Sequence, residues 1–123
     1  DFDKGLWSAI REDARRGVRP ALPHVVGGSD VRGDAVEFAR GNARAAGLGH
    51  LLDFVRQDVT AARPPAGPPG LIVVNPPYGE RLGEERELEP LYRALGETVA
   101  AHWPGWRLAV FTANDRLARA VGR

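Results

Sequence analysis

Leu71-Ile72-Val73-Val74-Asn75-Pro76-Pro77-Tyr78 decides the reading of this chain. Four consecutive apolar residues stop at an amide, two prolines and a tyrosine. The apolar run reads as a β-strand covered on both faces, as in a parallel sheet. The prolines fix the backbone and remove two amide donors, so carbonyl acceptors dominate the turn. An exocyclic amine has two hydrogens to donate. The Asn75 side-chain oxygen and the Pro76 carbonyl could accept both, and Tyr78 offers a face on which a base can stack. A plain proline-rich turn with a packed tyrosine is the commoner meaning of so short a match. The flanking sequence has to choose between the two.

Working outward, the flanks alternate between helix and strand signals. Phe2 to Gly17 reads as an amphipathic helix with Leu6, Trp7, Ile10 and Ala14 on one stripe. His24 to Asp30 reads as a short strand ending in an acid. Asp34 to Ala46 reads as a helix with Val36, Ala39, Ala43 and Ala46 on one face and Gly47 as its stop. Leu51 to Asp58 is a strand that again ends in an acid, and the proline-rich stretch Ala61 to Gly70 is a loop. Downstream, a helix starts near Pro90, which suits a first-turn proline, with Leu91, Tyr92, Leu95 and Val99 as its core stripe. Glu84, Glu85, Glu87 and Glu89 precede it, and Pro104-Gly105 stops it. Trp106 to Thr112 is a fourth strand, and Asn114 to Val121 begins a last helix. The alternation predicts an α/β fold with a mostly parallel sheet, as a single domain over residues 1–123.

That topology gives three polar residues a shared address. Asp30, Asp58 and Asn75 each follow a strand, and parallel strands place their carboxyl ends on one edge, where open α/β sheets bind ligands. An ionised carboxylate offers only acceptor sites, which suits a ribose diol, and Asp58 could accept from an adenine amine. The plainer reading is that acids at strand ends cap the next helix. For either acid alone the two readings stay open. Together with the buried strand before it, the pair of acids tips Asn75-Pro76-Pro77-Tyr78 towards a nucleotide site.

Composition narrows the rest. The 123 residues are 43% hydrophobic and 27% charged, ordinary for a globular domain. Net charge is +1 with the signs interspersed, so long-range attraction to nucleic acid is weak. With no cysteine there is no disulfide, thiolate nucleophile or Cys-based metal site. His24, His50 and His102 lack ligand spacing, so no metal is expected. No membrane-spanning stretch or signal peptide is visible, which makes a cytoplasmic protein the default expectation. Asp1 is an unnatural start and Met is absent, so the chain reads as a piece of something longer.

Asn75-Pro76-Pro77-Tyr78 resembles the motif of class I S-adenosylmethionine-dependent methyltransferases that act on amino nitrogens. The longer run to Gly83, Asn-Pro-Pro-Tyr-Gly-Glu-Arg-Leu-Gly, resembles the RNA methylase family, specifically the ribosomal RNA large-subunit (23S) guanine-N2-methyltransferases that carry a THUMP domain. Gly28-Ser29-Asp30, Ala46-Gly47-Leu48, Phe54 with Asp58-Val59, and Pro104-Gly105-Trp106 follow that family in order and spacing. The family has a second acid and a proline where this chain has Arg32-Gly33.

The resemblance implies a Rossmann-like sheet lacking its first strand, its C-terminal strands and its glycine-rich cofactor loop. The first strand would lie between those ending at Asp30 and Asn75. Its absence would leave a gap of ~10 Å and two exposed inner edges. The resemblance also implies S-adenosylmethionine as cofactor. Asp30 would hold its ribose with Val31 against the adenine, and Asp58 would hold the adenine amine with Val59 nearby. Asn75 and Pro76 would orient the target guanine amine, with Pro77 in the turn and Tyr78 stacked on the base. The target nucleotide would have to leave its stack. Ribosomal RNA is the implied partner, reached through an RNA-binding domain outside this chain. The readings that remain beside this are a non-catalytic fragment or interaction module, and an amino-methyltransferase acting on adenine or protein glutamine. A dehydrogenase-type site is weaker, because Gly27-Gly28-Ser29-Asp30 lacks spaced glycines.

Overall fold

A computed structural model describes residues 2–78 and 84–122. The segment Gly79 to Gly83, which carries the more specific half of the resemblance, lies outside them. Among the described residues there are four helices and four strands: α1 Lys4–Arg16, β1 Val26–Asp30, α2 Gly33–Ala45, β2 Leu52–Arg56, β3 Leu71–Val74, α3 Glu84–His102, β4 Arg107–Val110 and α4 Asp115–Ala120. A 3-10 turn, Val59–Ala61, follows β2.

Every strand pairing among the described residues is parallel. β1 pairs with β2 from Val26↔Leu52 to Asp30↔Arg56, and β3 pairs with β4 from Leu71↔Arg107 to Val74↔Val110. Among the described residues the two pairs share no ladder, so the strands ending at Asp30 and Asn75 are not neighbours.

The main core lies under β3 and β4. Tyr92, Leu95 and Val99 of α3 meet Leu117 of α4 and Val121 at its C-cap, with Ile72, Val74, Leu108 and Val110 packed against them. Gly96 lets the two helices touch, since a Cβ there would lie 1.9 Å from the Val121 carbonyl oxygen. Val59 of the 3-10 turn also packs on this core, which ties the end of β2 to α3. The second pair is thinner, with Val36 and Ala43 of α2 buried beside it. Helix α2 ends as its sequence predicts. Gly47 takes φ +74°, and Leu48 N–H donates to the Ala43 carbonyl at 2.8 Å.

Three expectations need correction. The strand β3 is covered on one face only: Ile72 and Val74 face the helices, while Leu71 and Val73 are exposed. An apolar run states that a strand can be buried on both faces, and here α3 and α4 supply one cover. Helix α3 starts six residues before Pro90, which sits inside it. Pro90 is exposed, as is Arg86, whose carbonyl would have accepted the missing N–H, so water can satisfy the loss. The acidic run thus falls within the helix and not before it. Helix α1 forms, capped by Asp3 accepting from Leu6 N at 2.9 Å, but buries nothing. Its stripe of Leu6, Trp7 and Ile10 is exposed, because periodicity specifies a helix without specifying its partner.

Candidate functional site

The carboxyl end of the β1–β2 pair brings the two acids together. The ladder continues one step past the strands, with Gln57 N–H donating to the Asp30 carbonyl at 2.9 Å, and Asp58 is the next residue. Each acid commits one carboxylate oxygen locally. Asp30 Oδ1 accepts from Arg32 N at 2.8 Å. Asp58 Oδ1 accepts from Thr60 N at 2.9 Å and Thr60 Oγ1 at 2.6 Å, and so caps the 3-10 turn. The other oxygen of each has no hydrogen-bond partner among the described residues.

The Thr60 hydroxyl, and secondarily its N–H, hold the Asp58 carboxyl below the ordinary carboxylate range. Asp58 is therefore a pure acceptor at neutral pH. Arg32 pairs with Asp34, and that hydrogen bond lowers the Asp34 carboxyl in turn. Val31 is exposed, and its carbonyl accepts from Arg56 Nε at 2.9 Å. Val59 is half-buried against the α3 core.

The carboxyl end of the β3–β4 pair presents the amide. Phe111 N–H donates to the Val74 carbonyl at 2.8 Å, so the ladder runs out where the turn begins. Asn75 and Pro77 are exposed, Tyr78 is half-buried and Pro76 is buried. The Asn75 amide is thus the accessible polar group of this turn. The structure brings Asp30 next to Asp58 and keeps Asn75 through Tyr78 together. Between the two groups it records no hydrogen bond among the described residues; α3 is their common neighbour, through Val59 on one side and Tyr92 on the other.

Tyr92 is the residue that sequence reasoning placed only in the core. Its ring is fully buried, but its hydroxyl lies 3.1 Å from the Pro77 carbonyl and 3.1 Å from Thr112 Oγ1. A tyrosine on a core stripe needs a partner for its hydroxyl, and that need was the available signal.

A concavity of about 500 Å³, lined by Arg40, Arg44, His50, Leu52 and Asp53 among others, lies at the opposite, amino end of β2 and holds none of these residues. No three potential metal-ligating side chains gather among the described residues, and no described helix is long and apolar enough to cross a membrane.

A nucleoside cofactor fits the donor set of the first group. Two acids at one strand end, each with an acceptor oxygen that has no partner among the described residues, suit hydroxyl and amine donors, and among the described residues no ion pair engages either acid.

Comparison with known proteins places this geometry. Residues 2–123 match the family described as RMKL-like, methyltransferase domain. The ribosomal RNA large subunit methyltransferase K/L of Legionella pneumophila (strain Corby) is 42% identical over 117 residues, covering 95% of this chain and 16% of that protein. The protein of the same name from Syntrophotalea carbinolica is 43% identical over 122 residues, covering 95% of this chain and 17% of its own length. This chain therefore spans about a sixth of the length of these two relatives. Among solved structures, SMU.472 complexed with SAH superposes with a TM-score of 0.79 at 29% identity, over 99% of this chain and 32% of that one. A predicted N6-adenine-specific DNA methylase from Listeria monocytogenes superposes with a TM-score of 0.78 at 31% identity, over 98% of this chain and 31% of its own. The fold is the Rossmann-like one of these neighbours.

Proposed function

We propose, from the premise that this chain belongs to the RMKL-like methyltransferase domain family, that it forms part of an S-adenosylmethionine-dependent enzyme. The proposed reaction methylates the exocyclic amine of a guanine in large-subunit ribosomal RNA, in the cytoplasm. The observation that carries the reading is the exposed Asn75 amide at the carboxyl end of β3, in a fold whose other parallel pair offers two acids at its own carboxyl end.

S-adenosylmethionine supplies an electrophilic methyl group when bound. Asp30 and Asp58 would hold it through their free oxygens, the first at the ribose and the second at the adenine amine. Val31 and Val59 stand beside those acids. Asn75 Oδ1 accepts one hydrogen of the target amine and orients its lone pair. The Pro76 carbonyl accepts the second from a base inserted into the turn. Both oxygens would stabilise the positive charge that grows on nitrogen as the methyl group parts from sulfur, and the methylated amine would then shed one proton to water, so positioning and electrostatics supply the catalysis. Pro77 keeps the turn rigid and Tyr78 stacks on the base. An RNA-binding domain elsewhere in the full-length protein would bring the rRNA, since the net charge of +1 gives this chain little pull of its own.

Asn75→Ala in the full-length protein tests this. Turnover on rRNA should fall by roughly 10²–10³, the scale seen when one donor to a developing charge is removed. KM for S-adenosylmethionine should stay within a few-fold, and the methyl group should appear on guanine N2 after digestion to nucleosides. Undiminished turnover would overturn the role of Asn75. A methylated adenine would replace guanine with the alternative substrate, which the description of the Listeria neighbour favours.

A further inference from the structure

The turn that carries Asn75 has an anchorage problem. Pro76 and Pro77 have no N–H, so two consecutive residues cannot join a ladder or donate to any neighbour. The ladder itself ends at the Phe111 N–H to Val74 carbonyl bond. A turn with so few donors relies on its carbonyls, beside the packing of the buried Pro76, to hold an amide in one orientation.

Tyr92 does this. The Pro77 carbonyl can only accept, so the single phenolic proton of Tyr92 goes to it, at 3.1 Å. Tyr92 Oη is then left as an acceptor towards Thr112 Oγ1, also at 3.1 Å, and the threonine hydroxyl must donate. Thr112 Oγ1 in turn accepts from the Asn114 N–H at 3.2 Å. Asn114 is fixed in its own right, because its side chain caps α4 by accepting from Arg116 N at 3.1 Å and Leu117 N at 3.0 Å. The proton order is therefore determined along the whole chain: Asn114 N–H to Thr112, Thr112 O–H to Tyr92, Tyr92 O–H to Pro77. The ring of Tyr92 is fully buried, so water does not compete for the hydroxyl.

We infer that Tyr92 is a positioning residue for methyl transfer, holding the Asn75–Tyr78 turn through a one-way hydrogen-bond chain from the cap of α4 by way of Thr112. The inference rests on the reading of Asn75 as the amine-orienting residue. Tyr92 touches no substrate, and acts through the peptide that joins Pro77 to Tyr78.

The test is Tyr92→Phe in the full-length protein, which keeps the buried ring and removes the hydroxyl. Turnover should fall about 10-fold, the equivalent of 1.36 kcal/mol in the barrier, with KM for S-adenosylmethionine within two-fold. Thr112→Val should lower turnover by a smaller factor, and Thr112→Ser should restore it. The double variant Tyr92→Phe/Thr112→Val should be no slower than Tyr92→Phe alone, because both changes break one chain. The backbone 15N resonance of Tyr78 reports directly on the Pro77 carbonyl and should move in Tyr92→Phe. An unmoved resonance, or unchanged turnover despite a moved one, overturns the inference. Independent, multiplicative losses in the double variant overturn the chain. An unmutated protein that methylates no nucleobase amine is a failure of the functional reading instead, and it shows in the control before any variant is compared.

Discussion

Gly96→Ala should destabilise this protein, although the same change in most helices stabilises. Gly96 is buried in α3, where α4 crosses it. A Cβ placed there would lie 1.9 Å from the Val121 carbonyl oxygen, 2.8 Å from its carbon and 3.2 Å from its Cα. The obstacle is backbone, so no rotamer relieves it, and α3 and α4 must separate by roughly 1 Å to restore contact distance. Separation loosens Leu117 and Val121, both buried in the core. Overpacking of this kind costs about 1–3 kcal/mol, reduced by at most ~1 kcal/mol of helix propensity gained by alanine. At about 4 °C per kcal/mol, the melting temperature should fall by several degrees.

Gly41→Ala supplies the control. It lies in α2 with nothing within 4 Å of its would-be Cβ, so only the propensity term acts. That variant should gain up to ~1 kcal/mol. Thermal and urea unfolding of the two variants should therefore move in opposite directions. Shifts of the same sign would refute the reasoning, because they would mean that the α3–α4 contact is not tight or yields freely.

Two further outcomes follow from caps. Asn114→Ala removes the acceptor for two N–H groups of α4 and should cost ~1 kcal/mol in urea unfolding; a loss below a few tenths would mean that this short helix does not depend on its cap. Thr60→Ala removes the first cause of the lowered Asp58 carboxyl, so an NMR titration should show Asp58 moving up towards its ordinary value of 3.8. Because the folded pKa is depressed, the associated stability is present above that ordinary value and is lost as pH falls through the folded one. The stability gap between Thr60→Ala and the unmutated chain should therefore narrow in acid; a gap that stays constant, or an unmoved Asp58, would contradict the assignment.

Much of the fold was legible because it depends on local signals. The parallel strand β3 reads from four apolar residues, and the end of α2 from a glycine that takes positive φ. That Asp30 ends β1, Asp58 follows β2 and Asn75 follows β3, each strand paired in parallel with its neighbour, follows from chain direction alone. What was not legible depends on partners. The apolar stripe of α1 announces a helix yet says nothing of what covers it. Pro90 marks a first turn by statistics, but its real constraint is whether the carbonyl it leaves unbonded reaches water. Tyr92 sits on a helical stripe like Leu95 and Val99, and only three-dimensional neighbours reveal where its hydroxyl points.

The two acids show why the capping and binding readings were hard to separate in sequence. Asp58 caps the 3-10 turn, whereas α2 has no side-chain cap and Asp30 only closes a local turn to Arg32 N–H; neither bond is incompatible with a ligand. A carboxylate has two oxygens, and a ligand-binding acid at a strand end gains from having one of them tied down. Asp58 Oδ1 is held by both the N–H and the hydroxyl of Thr60, and Asp30 Oδ1 by the Arg32 N–H. Those bonds fix the plane of each carboxylate and therefore the direction of the second oxygen, without cost when a ligand arrives. They also keep Asp58 ionised, so that it presents an acceptor and no donor. The turn after β3 is built on the same rule from the opposite side: Tyr92 fixes the Pro77 carbonyl and leaves the Asn75 amide exposed. On the proposed reading, a residue away from the ligand in each case restrains one polar atom so that its neighbour is aimed, and these local bonds would be the means by which the strand ends form a site.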